Sequence, residues 1–146
     1  MRAVAFLFVG LAMWSLIGCG SGSRPIPMRG EVTFDGRPVE EGTITLTPTD
    51  GHTGPGTGGT ITNGRYEIPG NVGPTTGGKY RVEISGYAKL GKMVPDPFNP
   101  TGPQLPYKEN YIPAKYGMQS TLVVEVPTNA RELQQDYQLE KDKGAK

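Results

Sequence analysis

Apolar and polar residues change places at every step in segment after segment of this chain, and a period of two belongs to strands with one buried face, not to helices. Met28, Gly30, Val32 and Phe34 alternate with Arg29, Glu31, Thr33 and Asp35 before the turn Asp35-Gly36. Ile44 and Leu46 alternate with Thr43, Thr45 and Thr47, whose branched side chains suit the outer side of a pleated sheet. Thr60-Ile61-Thr62 and Arg65-Tyr66-Glu67-Ile68 flank Asn63-Gly64, which tolerates positive φ at both centres of a type I′ turn and so predicts a hairpin. Tyr80, Val82 and Ile84 alternate with Lys79, Arg81, Glu83 and Ser85, Ser120–Val126 reads STLVVEV, and Tyr137 and Leu139 close the series. Arg131–Gln135 lacks the sustained apolar stripe a helix needs. Strands eight to twelve residues apart with turn residues between them predict an all-β antiparallel β-sandwich of about seven strands.

Composition tests that expectation, because 22 glycines and 14 prolines in 146 residues stand at the edge of the range typical of disorder. The alternation decides for a folded chain, and the length suits one domain. Fifteen basic and 14 acidic residues leave a formal net charge of +1, with no basic surplus to neutralise a phosphate backbone, so nucleic acid is not an expected partner.

Residues 1–19 read MRAVAFLFVGLAMWSLIGC. A basic Arg2 precedes an uncharged apolar run over Ala3–Ile17 that is short for a membrane span and is followed by small residues, the pattern of a signal peptide. Leu16-Ile17-Gly18-Cys19 resembles the lipobox of bacterial lipoproteins. The resemblance implies removal of residues 1–18, lipid on the Cys19 thiol, and a stable membrane anchor through more than one acyl chain. It also implies a location in the cell envelope, in the outer membrane more than the inner, because Gly20 stands where an acidic residue signals inner-membrane retention. An ordinary secretory signal with a stray cysteine, or a buried N-terminal helix, are the alternatives. With the only cysteine lipidated, no disulfide holds the fold. Residues 19–27 then form a flexible tether, 28–140 the domain and 141–146 a frayed tail.

Few residues suggest catalysis. GPTTGGK, Gly73–Lys79, matches most of a phosphate-binding loop, but Tyr80 replaces the magnesium-binding hydroxyl and a strand replaces the helix whose N-terminus would face the phosphates. The stretch is read as a turn feeding a strand, with no nucleotide and with Lys79 a solvated edge charge. His52, the only histidine, sits among loop glycines, and Glu40-Glu41 adjoin in a turn and point apart. Asp50 alone falls short of a calcium ligand set. The expectation is no enzyme, no catalytic residues, no metal and no cofactor.

Residues 86–113 break the alternation. Pro97, Pro100, Pro103 and Pro106 recur every third residue, the repeat of a polyproline II helix, with Tyr87, Tyr107 and Tyr111 nearby. These seven residues are the candidate partner-binding set, on a proline-rich loop. The alternative is a stiffened crossover packed against the sheet by its tyrosines.

GEVTFDGRPVEEGTITLTP, NGRYEI, GGKYRVEI, KYGMQSTLVVEV and DYQL together resemble small bacterial lipoproteins whose domain is a carboxypeptidase-regulatory-like, transthyretin-like (prealbumin-like) β-sandwich. The resemblance covers nearly the whole chain after Cys19 and implies a non-enzymatic binding or structural module at the cell envelope. Transthyretin-like hydroxyisourate hydrolases share that fold but need a terminal Tyr-Arg-Gly-Ser, where this chain has DKGAK. The expected partner is an envelope protein. A glycan, bound by an accessory module of an envelope enzyme, is the second reading; Trp14 is lost with the signal, which leaves Tyr87, Tyr107, Tyr111 and Tyr116 as the aromatics for it.

Overall fold

A computed structural model describes residues 23–51 and 54–142. Cys19 and the signal segment, His52 and residues 143–146 lie outside the described residues. The described chain is all-β, with an open, sandwich-like sheet in the order β10-β1-β5-β4-β3-β6-β7. Its strands are β1 (Met28–Phe34), β2 (Arg37–Pro38), β3 (Glu41–Pro48), β4 (Thr57–Thr62), β5 (Arg65–Ile68), β6 (Lys79–Val94), β7 (Leu105–Asn110), β8 (Val123–Glu125), β9 (Leu133–Gln134) and β10 (Tyr137–Leu139). Pairing is antiparallel except on β1, which takes β9 and β10 in parallel. Seven strands fall on the seven alternating segments; β2 and β9 are two-residue additions, and β7 lies in the stretch read as a loop.

The alternation sets the core. Met28, Val32, Ile44, Leu46, Ile61, Ile68, Val82 and Ile84 are each at most 1 % exposed, and they lie on the inward phase of their strands. Asn63 and Gly64 both have positive φ, 51° and 78°, and join β4 to β5 in the hairpin that the dipeptide predicts. Ser120 ties β8 to the centre of the sheet, because its buried hydroxyl donates to the Val82 carbonyl and accepts the Leu122 amide at 3.2 Å.

Three boundaries differ from the sequence reading. The end of the expected tether is part of the domain: Pro25 bridges Thr75, the Ile26 amide donates to the Pro74 carbonyl at 3.0 Å, and Ile26 is 2 % exposed. Burying one large aliphatic side chain contributes about 1.5–3 kcal/mol, enough to hold a short Pro-stiffened strap in place. The expected tail begins later, since the Lys141 amide donates to Asp35 at 3.0 Å and Lys115 pairs with Asp142 at 2.9 Å.

The third difference is the largest. The segment 86–113, read as an irregular proline-rich loop, is mostly a hairpin arm: β6 continues nine residues past Ser85 and β7 returns along it. The prolines do not form one edge of a polyproline II helix. Pro97 and Pro100 lie in turns at the tip, Pro103 in the connection to β7, and Pro106 within β7 opposite Met93. A polyproline II helix makes no hydrogen bonds of its own, whereas β7 satisfies the backbone groups along the free side of β6.

Candidate functional site

The arm and the cleft at its root hold what the sequence marks for binding. At the root, Gly86 faces Tyr111: a Cβ there would lie 3.0 Å from the Tyr111 ring and 2.9 Å from Ile112, so only glycine lets the ring lie on the strand. The Tyr111 amide donates to the Gly86 carbonyl at 3.0 Å, and the Asn110 side-chain carbonyl accepts the amides of Gly86 and Ile112 at 3.2 and 3.1 Å. Phe34 closes the other side of the ring, with centroids 5.7 Å apart and planes tilted by 55°. Tyr111 is thus fixed in place while its edge stays 37 % exposed.

Phe34, Tyr87 and Tyr111 line an open cleft of ≈ 670 Å³ together with Arg37, Glu40 and Lys141. The turn Asp35-Gly36 folds β2 back on β1 and so brings Arg37 beside the rings. The Lys141 backbone amide, its ammonium and the Arg37 charge hold the Asp35 carboxyl below its ordinary value despite some desolvation, and Lys141 Nζ lies 3.2 Å from it. Partial burial and the Glu40 charge push the Tyr111 hydroxyl up, so it stays protonated and can donate. A second cleft lies against the first and shares Glu40, Tyr87 and Ala88 with it. The arrangement offers aromatic surface, one ring of it fixed, beside hydrogen-bonding groups of both signs, the composition of a binding site.

Beyond the root, the arm carries five of the nine large hydrophobic side chains that are exposed among the described residues. Among the described residues Leu90, Met93, Phe98, Leu105 and Tyr107 are 53 %, 50 %, 97 %, 44 % and 41 % exposed. Apolar surface gathered on one projecting element marks an interaction surface more than scattered residues do. Lys92 Nζ stands 5.8 Å from the Tyr107 ring centroid, within reach of a cation–π contact.

The structure therefore divides the candidate set. Tyr87 and Tyr111 meet at the root cleft, Tyr107 and Pro106 lie along the arm, Pro97, Pro100 and Pro103 gather at its tip, and Cys19 is outside the described residues. Phe34, Arg37 and Lys141 were not singled out from sequence as site residues, and Glu40 was weighed only as half of a catalytic carboxylate pair and set aside; the Asp35-Gly36 turn was the available signal for the first two. Gly73–Lys79 is a turn leading into β6. The amides of Thr75, Thr76, Gly77 and Gly78 donate to Tyr80, Arg24, Val126 and Thr75, and Lys79 pairs with Asp50 at 2.5 Å, not with solvent alone. Among the described residues there is no group of three or more metal-ligating side chains, and no helix is long and apolar enough to cross a membrane.

No family model matches the chain, and no curated protein matches it. Among solved structures it is similar to a 9R-lipoxygenase from Cyanothece PCC8801, at 13 % identity and a TM-score of 0.39, over 84 % of this chain and 18 % of that one. That neighbour is an enzyme, and the expectation that this chain is not one is corrected to that extent. A likeness at this level carries no activity to this chain, which spans about a fifth of the lipoxygenase.

Proposed function

We propose that this chain is a lipid-anchored cell-envelope protein whose carboxypeptidase-regulatory-like β-sandwich presents a binding face away from the membrane. The observation that carries the reading is the placement of the two chain features at opposite ends of one strand. The strap Arg24–Ile26 is bonded to Pro74 and Thr76, just before β6 begins at Lys79, whereas the root cleft and the arm lie at and beyond Gly86. Sixteen strand residues span roughly 50 Å at about 3.3 Å each. Five Cα–Cα steps separate Cys19 from Arg24, a reach of about 17 Å even when fully extended. A lipid on Cys19 therefore holds the strap end near the bilayer, and the arm projects from the other end toward its partner.

The lipobox supplies the chemistry of the anchor, and acyl labelling tests it. A fatty-acid analogue should mark the wild type and not Cys19→Ser, and the variant should be left uncleaved or mis-sorted. Equal labelling of both chains rejects the lipoprotein reading.

A further inference from the structure

We propose that the two adjoining clefts at the root of the arm bind an oligosaccharide, with a sugar ring packed against Tyr87, the exposed edge of Tyr111 beside it, and hydroxyls held by Arg37 and Glu40. The proposal rests on the reading of this domain as a binding module, and not on its lipid anchor.

The shape indicates a ligand longer than one ring. The clefts adjoin at Glu40, Tyr87 and Ala88, with Tyr111 and Phe34 lining one and Thr60, Thr62 and Asn63 lining the other. The chemistry indicates hydroxyls. A pyranose presents an apolar C–H face that packs on the electron-rich face of an aromatic ring, and hydroxyls at its rim that both donate and accept. Arg37 offers only donors and Glu40 only acceptors, and among the described residues neither side chain has an ion-pair partner. The Tyr111 ring is already fixed by Gly86 and Phe34, so binding does not have to order it.

Two other ligand classes fit less well. Asp35 and Glu40 balance Arg37 and Lys141, and Asp35 already holds Lys141, so the cleft offers no net charge to a polyanion. An extended peptide would need a free strand edge, but β6 at the root is paired on both sides, Gly86 with Gly42 and Tyr87 with Asn110.

The test is calorimetric titration of the detergent-solubilised full chain with chitotetraose, cellotetraose, maltotetraose and xylotetraose. At least one should bind saturably. Arg37→Ala and Tyr111→Ala should each weaken that binding about tenfold or more, Tyr111→Phe less than Tyr111→Ala, and Val123→Ala, exposed on β8 and outside both clefts, should leave it unchanged. Arg37 is exposed at the start of β2, so its variant decides the matter even if Tyr111→Ala does not fold. Cys19→Ser should bind with wild-type affinity, which separates this site from the anchor. Absence of binding to all four, or binding that Arg37→Ala leaves intact, overturns the proposal.

Discussion

Lys89 and Lys108 stand opposite each other across the β6–β7 pair, and one carboxylate holds both: Glu41 accepts a hydrogen bond from Lys108 and lies 3.6 Å from Lys89 Nζ. Like charges in cross-strand register destabilise a hairpin, so Glu41 is what lets the arm leave the sheet along this line. The Lys108 hydrogen bond, followed by the charges of Lys108 and Lys89, holds the Glu41 carboxyl below its ordinary 4.5. A depressed carboxyl contributes stability above 4.5 and loses it as pH falls through the lower folded value. Glu41→Gln should therefore raise amide exchange in Ala88–Lys92 and Tyr107–Glu109 while the melting temperature of the domain stays put. Wild type, corrected for intrinsic exchange, should show the same loosening only below about pH 4.5. Unchanged arm exchange in the variant would remove Glu41 from this role.

Tyr66 and Tyr137 make a contrasting pair in the core. Their rings lie 6.3 Å apart, but the Tyr66 hydroxyl donates to the Gln135 carbonyl at 2.7 Å while the buried Tyr137 hydroxyl has no partner among the described residues. Tyr66→Phe should cost about 1 kcal/mol, and Tyr137→Phe should cost nothing or stabilise, because an unpaired buried hydroxyl is itself a penalty. Burial pushes both hydroxyls above 10.0, with the neighbouring Tyr137 and Asp136 adding to the shift at Tyr66. A raised folded value means full stability below 10.0 and a loss as pH rises above it, by at most about 1.4 kcal/mol per pH unit for each tyrosine. Urea denaturation from pH 9 to 11 should show that loss reduced in either variant. Equal costs for the two variants would mean that the Gln135 bond adds nothing.

How much of this was legible depended on whether a signal was local. Alternation in Met28–Phe34, Thr43–Thr47 and Lys79–Ser85 reports burial of one strand face and needs no knowledge of the partner strand, so the class and the inward residues follow from it. Asn63-Gly64 is local in the same sense, because φ belongs to the residue. The arm was hidden because its pairing is the property of two segments. Prolines 97 to 106 impose a period of three on the eye, while Met93 and Val94 lie unmarked opposite Pro106 and Leu105. The strap was hidden for a related reason, since Arg24–Ile26 finds its partners fifty residues downstream at Pro74–Thr76. Two of the nine residues lining the root cleft were named in advance as binding residues, Tyr87 and Tyr111, by type and setting; Arg37, Glu40 and Lys141 join them only through the fold of β1, β2 and the segment after β10.

Adding ATP and magnesium should leave the melting curve unchanged. A phosphate at Gly73–Lys79 would have to displace the bonds from Thr75 to Tyr80 at 2.9 Å, Thr76 to Arg24 at 2.9 Å and Gly77 to Val126 at 2.8 Å. Ligand at a hundredfold excess over Kd stabilises a fold by about 2.7 kcal/mol, a shift easily seen by calorimetry. Such a shift, abolished by Lys79→Ala, would restore the nucleotide reading.

The glycine at the start of that stretch has a different task, which sets the last prediction. A Cβ on Gly73 would fall 1.9 Å from the Ile26 carbonyl oxygen, so the strap and the turn approach each other only because Gly73 has no side chain. Gly73→Ala should cost about 1–3 kcal/mol as the strap is pushed off. Ile26→Ala should cost about 2–5 kcal/mol through lost burial and the cavity left behind. Because both changes release the same segment, the double variant should cost clearly less than their sum, a coupling that urea denaturation of the three chains measures directly. Release also lengthens the free chain between Cys19 and the sheet from the five Cα–Cα steps to Arg24 to the nine to Met28, a reach of about 30 Å instead of about 17 Å. On lipid vesicles, a dye at Phe98→Cys, in a chain already acylated at Cys19, should then show faster depolarisation in the Gly73→Ala background. Additive costs, together with an unchanged depolarisation rate, would show that Ile26 does not hold the domain to its anchor.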